Sequence, residues 1–275
     1  MWKTIFLIYA LIIPGLVSAA DGKLIATPGV SQIEGAAGGG LVPWAQLAGY
    51  ASRDEIAVNA FVSRGTLDDY SLDVYGAQLN LYDRLEFSLA EQEFHVDALN
   101  LNIRQRVLGA KMRLYGDIVY SRFPQLSVGM QYKKLHDPLV ANLLGAEDDS
   151  GTDYYIAASK LHLGAIGGLN WLWNLTGRYT EANEIGLLGF GGEDKDHDWM
   201  LEASTAVLLG RHIAVGIEYR QKPDNLGLRE DDWKSAFIAW VPNKYLSLTA
   251  GYIDLGRVAG SDDQDGLYFS VMGNF

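Results

Sequence analysis

The sequence predicts an all-β fold: an antiparallel transmembrane β-barrel of about twelve strands, with an N-terminal Gly-rich plug or rim segment. Three observations carry this. Runs of roughly ten residues alternate apolar and polar side chains, the period of a strand with one greasy face. The connections between them alternate short and long. The last such run, 267–275, places Leu267, Phe269, Val271, Gly273 and Phe275 on one face and closes on an aromatic residue.

The strands are expected near 54–64, 70–81, 84–92, 106–118, 125–134, 152–164, 168–181, 197–209, 212–222, 232–242, 245–255 and 265–275. In the first, Ile56, Val58, Ala60 and Val62 oppose Asn59 and Ser63. In the fifth, Leu126, Val128, Met130 and Tyr132 oppose Ser127, Gly129, Gln131 and Lys133. The seventh sets Leu169, Trp171, Trp173 and Leu175 against Asn170, Asn174 and Thr176. The eighth sets Trp199, Leu201 and Ala203 against Glu202 and Ser204. Ile213, Val215 and Ile217 then alternate with Ala214, Gly216 and Glu218, and Leu246, Leu248 and Ala250 with Ser247 and Thr249. About ten residues at roughly 3.3 Å each, tilted about 45°, cross an apolar band of about 25 Å.

Short links fall at Tyr82-Asp83, Gly210-Arg211, Asn243-Lys244, 165–167 and near Pro124. Long ones fall near 93–105, 135–151, 182–196, 223–231 and 256–264. Sorting by parity is expected of a membrane barrel, with turns on one side and loops on the other. A soluble sandwich has no reason to show it.

Residues 1–19 carry Lys3, an apolar run from Ile5 to Leu16 and the small-residue site Val17-Ser18-Ala19, which read as a cleaved secretory signal. The expected organisation is therefore signal peptide 1–19, plug or rim segment 20–53, and barrel 54–275, exported to a Gram-negative outer membrane. The 275 residues contain no Cys, so neither disulfides nor thiolate sites exist. The net charge of −12 argues against a nucleic-acid partner. The 15 Tyr and 7 Trp suit aromatic girdles at the two membrane interfaces.

Charges on the non-lipid face must line or fill the interior. Those expected there are Glu86, Lys111, Arg113, Asp117, Lys133, Lys160, His162, Arg178, Glu202, His212, Glu218 and Arg220. They fit a narrow pore or pathway for an unknown small solute. They equally fit a non-conducting structural or adhesive barrel closed by paired charges. In segment 20–53, the run Gly35-Ala36-Ala37-Gly38-Gly39-Gly40 lacks the Lys-Ser/Thr of a phosphate loop, and Trp44 is the expected lumen anchor.

Acidic runs at 147–153, 193–198, 230–232 and 262–265 fall in the long connections. Asp194, Asp196 and Asp198 are candidates for Ca²⁺ or Mg²⁺, which could bridge to anionic lipopolysaccharide. A solvated repulsive rim is the other reading. A lipid-modifying outer-membrane enzyme would need a nucleophile with a base. Neither a Gly-x-Ser-x-Gly elbow nor a His-Glu-x-x-His helix is present, so no catalytic residues and no enzyme are expected.

The phrases Gly38-Gly39-Gly40-Leu41-Val42-Pro43-Trp44-Ala45, Gly186-Leu187-Leu188-Gly189-Phe190-Gly191-Gly192, Glu218-Tyr219-Arg220-Gln221-Lys222-Pro223 and Pro242-Asn243-Lys244, with the Phe275 ending, resemble an uncharacterised proteobacterial family of exported proteins, a domain of unknown function. The resemblance implies an outer-membrane barrel and carries no activity. The ending also resembles the terminal strand of outer-membrane barrels, in which the closing aromatic is read by the barrel-assembly machinery. Expected partners are thus that machinery, membrane lipid and lipopolysaccharide.

Overall fold

A computed structural model of the chain describes residues 23–31, 33–192 and 197–275. The expected signal peptide lies outside the described residues. Twelve strands form the wall: β1 (Ile56–Leu67), β2 (Tyr70–Leu81), β3 (Leu85–Val96), β4 (Leu101–Tyr115), β5 (Gln125–Leu135), β6 (Ser150–Ile166), β7 (Leu169–Thr180), β8 (Asp198–Leu208), β9 (Ile213–Arg220), β10 (Trp233–Asn243), β11 (Leu246–Val258) and β12 (Ser261–Asn274). Each pairs antiparallel with its sequence neighbours. β1 also pairs with β12, which closes the barrel. At this seam Phe61 faces Met272 and Ser63 faces Ser270. Val58 and Phe275 exchange both backbone hydrogen bonds, at 3.0 and 2.8 Å. Closure leaves no unpaired edge in the wall.

The period of two sorts the side chains as expected. Val58, Val62, Leu89, Leu108, Met130, Ile156, Leu175, Leu201, Ile217, Ile238 and Phe269 are exposed on the outside. Asn59, Ser63, Gln78, Gln92, Gln105, Ser127, Gln131, Asn174 and Ser270 are buried on the inside. A soluble protein inverts this arrangement; a wall bathed in lipid requires it.

The loop-length parity is weaker than the sequence suggests. One end carries the turns 82–84, 167–168, 209–212 and 244–245, and also the longer connection 116–124. The other carries 136–149, 181–197 and 221–232, the first holding a short helix, Leu139–Leu144. The expected long connections 93–105 and 256–264 are instead tight links at 97–100 and 259–260. Their polar residues belong to strand extensions beyond the apolar band. In that region Glu91 lies opposite Arg106 and Glu93 opposite Arg104 on the outer face, while Gln92 and Phe94 stay buried inside.

Candidate functional site

The described residues from 26 to 51 are buried, apart from the half-buried Ile33, and contain no strand or helix. A backbone that makes no ladder of its own must find partners elsewhere when it is removed from water. Lumen side chains supply them. Glu86 accepts from the amides of Ala37 at 2.9 Å and Ala48 at 2.8 Å. Lys111 donates to the carbonyls of Ala37 at 2.8 Å and Gln46 at 2.9 Å, and pairs with Glu86 at 3.3 Å. Glu218 accepts from Leu41 N at 2.9 Å. Gln78 donates to Gly35 O, Asn80 to Ala48 O, Gln92 to Ile33 O, Thr176 to Pro43 O and Thr249 to Val30 O, at 2.5 to 2.8 Å. The polar inner face thus acts as a surrogate sheet for an irregular segment running inside the ring.

The Gly-rich run is explained by this proximity. A Cβ on Gly39 would stand 1.8 Å from Glu218 Oε1, and one on Gly38 would stand 2.3 Å from Val42 O. No side chain fits between Gly39 and the wall, or between Gly38 and the segment's own turn at Val42. Trp44 is fully inside, and its indole Nε1 donates to Ser204 Oγ at 2.9 Å. Ser204 in turn donates to Glu218 at 3.0 Å.

The central feature is a charge cluster around Glu34. Lys133 on β5, Arg178 on β7 and Arg220 on β9 converge on its carboxylate, with Arg178 at 3.2 Å. Asp153 and Glu202 complete the cluster. Asp153 meets Lys133 at 2.7 Å and Arg178 at 3.0 Å; Glu202 meets Arg178 at 2.6 Å and Arg220 at 3.3 Å. All six groups are buried. Three cations face three anions, so the cluster is neutral, which a water-poor interior demands.

Of the residues expected in the lumen, Glu86, Lys111, Lys133, Arg178, Glu202, Glu218 and Arg220 are there; six touch the N-terminal segment directly, and Glu202 reaches it through Arg178 and Arg220. Arg113 faces inward only at the short-turn mouth, where it pairs with Asp83 and with Asp117 at 3.4 Å. Asp117 belongs to the connection 116–124. Burial pushes its carboxyl up, but the amides of Tyr120 and Val119 and the Arg113 guanidinium outweigh this and hold it below the usual range.

Three positions need correction. Lys160 shares the outward parity of Tyr154 and Ile156, and its ammonium turns onto the carbonyls of Asp117, Val119 and Ser121. His162 is exposed on the same face, stacked on Trp171 at 5.4 Å. His212 is exposed in the 209–212 turn, its Nδ1 2.8 Å from Val241 O. The physical reason is phase: inward β6 carries the small residues Ala157 and Ser159 against the segment, which leaves the long polar chains outside. Asp153, expected in an acidic outer loop, is instead a lumen residue.

Glu34 escaped the sequence reading because a lone carboxylate in a segment without periodicity gives no signal. The nearest clue is its place immediately before the Gly-rich run.

The loop 182–192 is also buried, folded over the opposite end of the segment. Gln105 donates to Ile185 O at 3.1 Å, and Phe190 pairs by backbone with Asp148. Glu184 pairs with Lys222, which also meets Glu230 at 3.1 Å. Burial pushes the Glu184 carboxyl up to about 8, against the pull of Lys222.

Asp194 and Asp196 lie outside the described residues, and Asp198 opens β8. Among the described residues no cluster of three metal-ligating side chains occurs. Carboxylates of the other acidic runs are used within the protein. Asp232 accepts from Tyr219 at 2.5 Å, Asp265 from Tyr252 at 2.7 Å and Asp262 from Arg257 at 2.5 Å.

A family model described as a protein of unknown function, DUF3034, matches residues 27–272. No curated protein matches the sequence. Among solved structures, the outer membrane protein Omp33 of Acinetobacter baumannii superposes with a TM-score of 0.51 at 6% identity, over 82% of this chain and 100% of that one. The NanC porin superposes with a TM-score of 0.48 at 9% identity, over 78% of this chain and 98% of that one. At 6% identity the likeness to Omp33 is one of fold.

Proposed function

This chain belongs to the DUF3034 family, and we propose that it is an outer-membrane β-barrel held shut by its own N-terminal segment. The observation that carries the reading is the convergence of Lys133, Arg178 and Arg220, from three different strands, on Glu34 of that segment. An open pore would hydrate these wall charges; here the segment neutralises them. The loops 136–149, 182–192 and 221–232 lie at the outer mouth, and β1 begins and β12 ends at the periplasmic mouth. The exposed apolar band contacts lipid and lipopolysaccharide, and Phe275 serves the assembly machinery. The narrow solute pathway expected from the sequence then exists only when the segment leaves the lumen.

Planar-bilayer recordings test this. The intact protein is expected to give no steady current, and a variant lacking 26–51 a steady one. Steady conductance from the intact protein, equal to that of the deletion, overturns the closure.

A further inference from the structure

Between residues 26 and 51 the sequence carries a single charged side chain, Glu34. Elsewhere the segment meets the polar wall chiefly through its backbone. Glu34 meets it as a small free anion would. Its Oε1 takes Lys133, and its Oε2 takes both Arg178 and Arg220.

The three cations do not depend on Glu34 for their places. Lys133 has Asp153 at 2.7 Å. Arg178 has Glu202 at 2.6 Å, Asp153 at 3.0 Å and the amide oxygen of Gln131 at 2.7 Å, and lies 5.7 Å from the Tyr155 ring centroid. Arg220 has Glu202 at 3.3 Å and lies 5.6 Å from the Trp233 ring centroid. All of these partners stand on β5, β6, β8 and β10, so they stay behind when the segment leaves. The vacated wall then holds three cations against two anions in a preorganised cluster, with one positive charge in excess.

We infer that Lys133, Arg178 and Arg220 form a binding site for the carboxylate of a small monocarboxylic acid, which Glu34 occupies as a built-in stand-in. It rests on the closure proposed above and names the solute class of the pathway that exists when the segment leaves. Charge selects the class. One carboxylate restores the balance that Glu34 supplies. A neutral or cationic solute leaves the excess in place, and a dianion replaces it by an excess of the opposite sign beside Asp153 and Glu202. The two carboxylate oxygens also match the donors, one for the ammonium and one for the two guanidiniums.

The test uses the full chain in lipid nanodiscs at constant pH and ionic strength, with ¹³C-labelled acetate as the probe and chloride and sulfate as controls. Glu34→Ala vacates the site and is expected to bind acetate saturably. Glu34→Ala/Lys133→Gln and, independently, Glu34→Ala/Arg220→Gln should weaken acetate about tenfold or more, the worth of one hydrogen bond between charged groups. Heat-modifiable migration verifies that each barrel is intact. In the wild-type chain acetate competes with Glu34. A ligand of the vacated wall raises the vacated population by one plus the ratio of its concentration to its Kd. Exchange of the Ala37, Leu41 and Ala48 amides, which Glu86 and Glu218 hold, should therefore rise about elevenfold at ten times the Kd measured with Glu34→Ala, and stay unchanged in chloride or sulfate. No saturable acetate binding by Glu34→Ala, affinity unchanged in both double variants, or sulfate bound as tightly as acetate overturns the site. Unchanged exchange in the wild-type chain reduces Glu34 to a structural latch and overturns its role as a stand-in. None of these readouts measures conductance, so steady current from the intact protein overturns the closure alone.

Discussion

On one side of the lumen Glu34 meets Lys133, Arg178 and Arg220; on the other, Leu41 and Ile33 meet Leu72, Val74 and Ile253. Both sides grip the same segment, by opposite means. The charged side fixes position, because each guanidinium has a small set of partners it can satisfy. The apolar side supplies non-directional burial and tolerates rearrangement, provided volume is kept. Removing one member therefore has different consequences on the two sides: an uncompensated buried charge on the first, a cavity on the second.

The largest effect is expected from Glu34→Ala, which leaves the three cations short of one anion. It should cost about 3–5 kcal/mol in urea unfolding of the lipid-reconstituted protein. Leu41→Ala on the apolar side should cost about 2–4 kcal/mol by the same measurement. A loss from Glu34→Ala no greater than that from Leu41→Ala would erase the distinction between the two sides.

The loop over the segment is expected to respond to pH through Glu184. Its folded pKa of about 8 lies above the ordinary carboxylate value. Its contribution is complete below the ordinary range and is lost as pH rises through about 8. Opening of 182–192, read by amide exchange corrected for intrinsic base catalysis, should grow by up to about tenfold per pH unit between the ordinary carboxylate range and about 8, and level off above it. Glu184→Gln should flatten that dependence.

The smallest effect belongs to the outer surface. Arg106, half-exposed, pairs with Glu91 on the outer face, and Arg106→Gln should cost less than about 1 kcal/mol. Compared with Glu34→Ala, it separates a screened pair from a buried cluster.

The barrel was legible because lipid on one face and side-chain packing on the other impose a period of two that local propensity cannot disguise. The inward positions of Lys133, Arg178, Glu202 and Glu218 followed from the same rule. Legibility failed where the rule loses its contrast. Beyond the apolar band, Glu91, Glu93, Arg104 and Arg106 are polar on the outer face, so strand looks like loop. In β6 both parities are compatible with an interior, and only the segment's closeness to Ala157 and Ser159 decides. The segment's own backbone partners were invisible because side-chain-to-backbone bonds to an irregular chain leave no periodic trace. Its Gly-rich stretch excluded a phosphate loop without revealing the close approach that requires it.

The pairing of Glu34 with Arg220 joins residues 186 positions apart, and that of Leu41 with Glu218 joins residues 177 apart. Such contacts close very long chain loops and form late and slowly. The segment precedes β1, yet its binding surface is complete only after β11, which supplies Thr249, has been laid down. Most of the wall must therefore assemble around a guest that it cannot yet hold, which makes docking of the N-terminal segment a late event in the maturation of the protein.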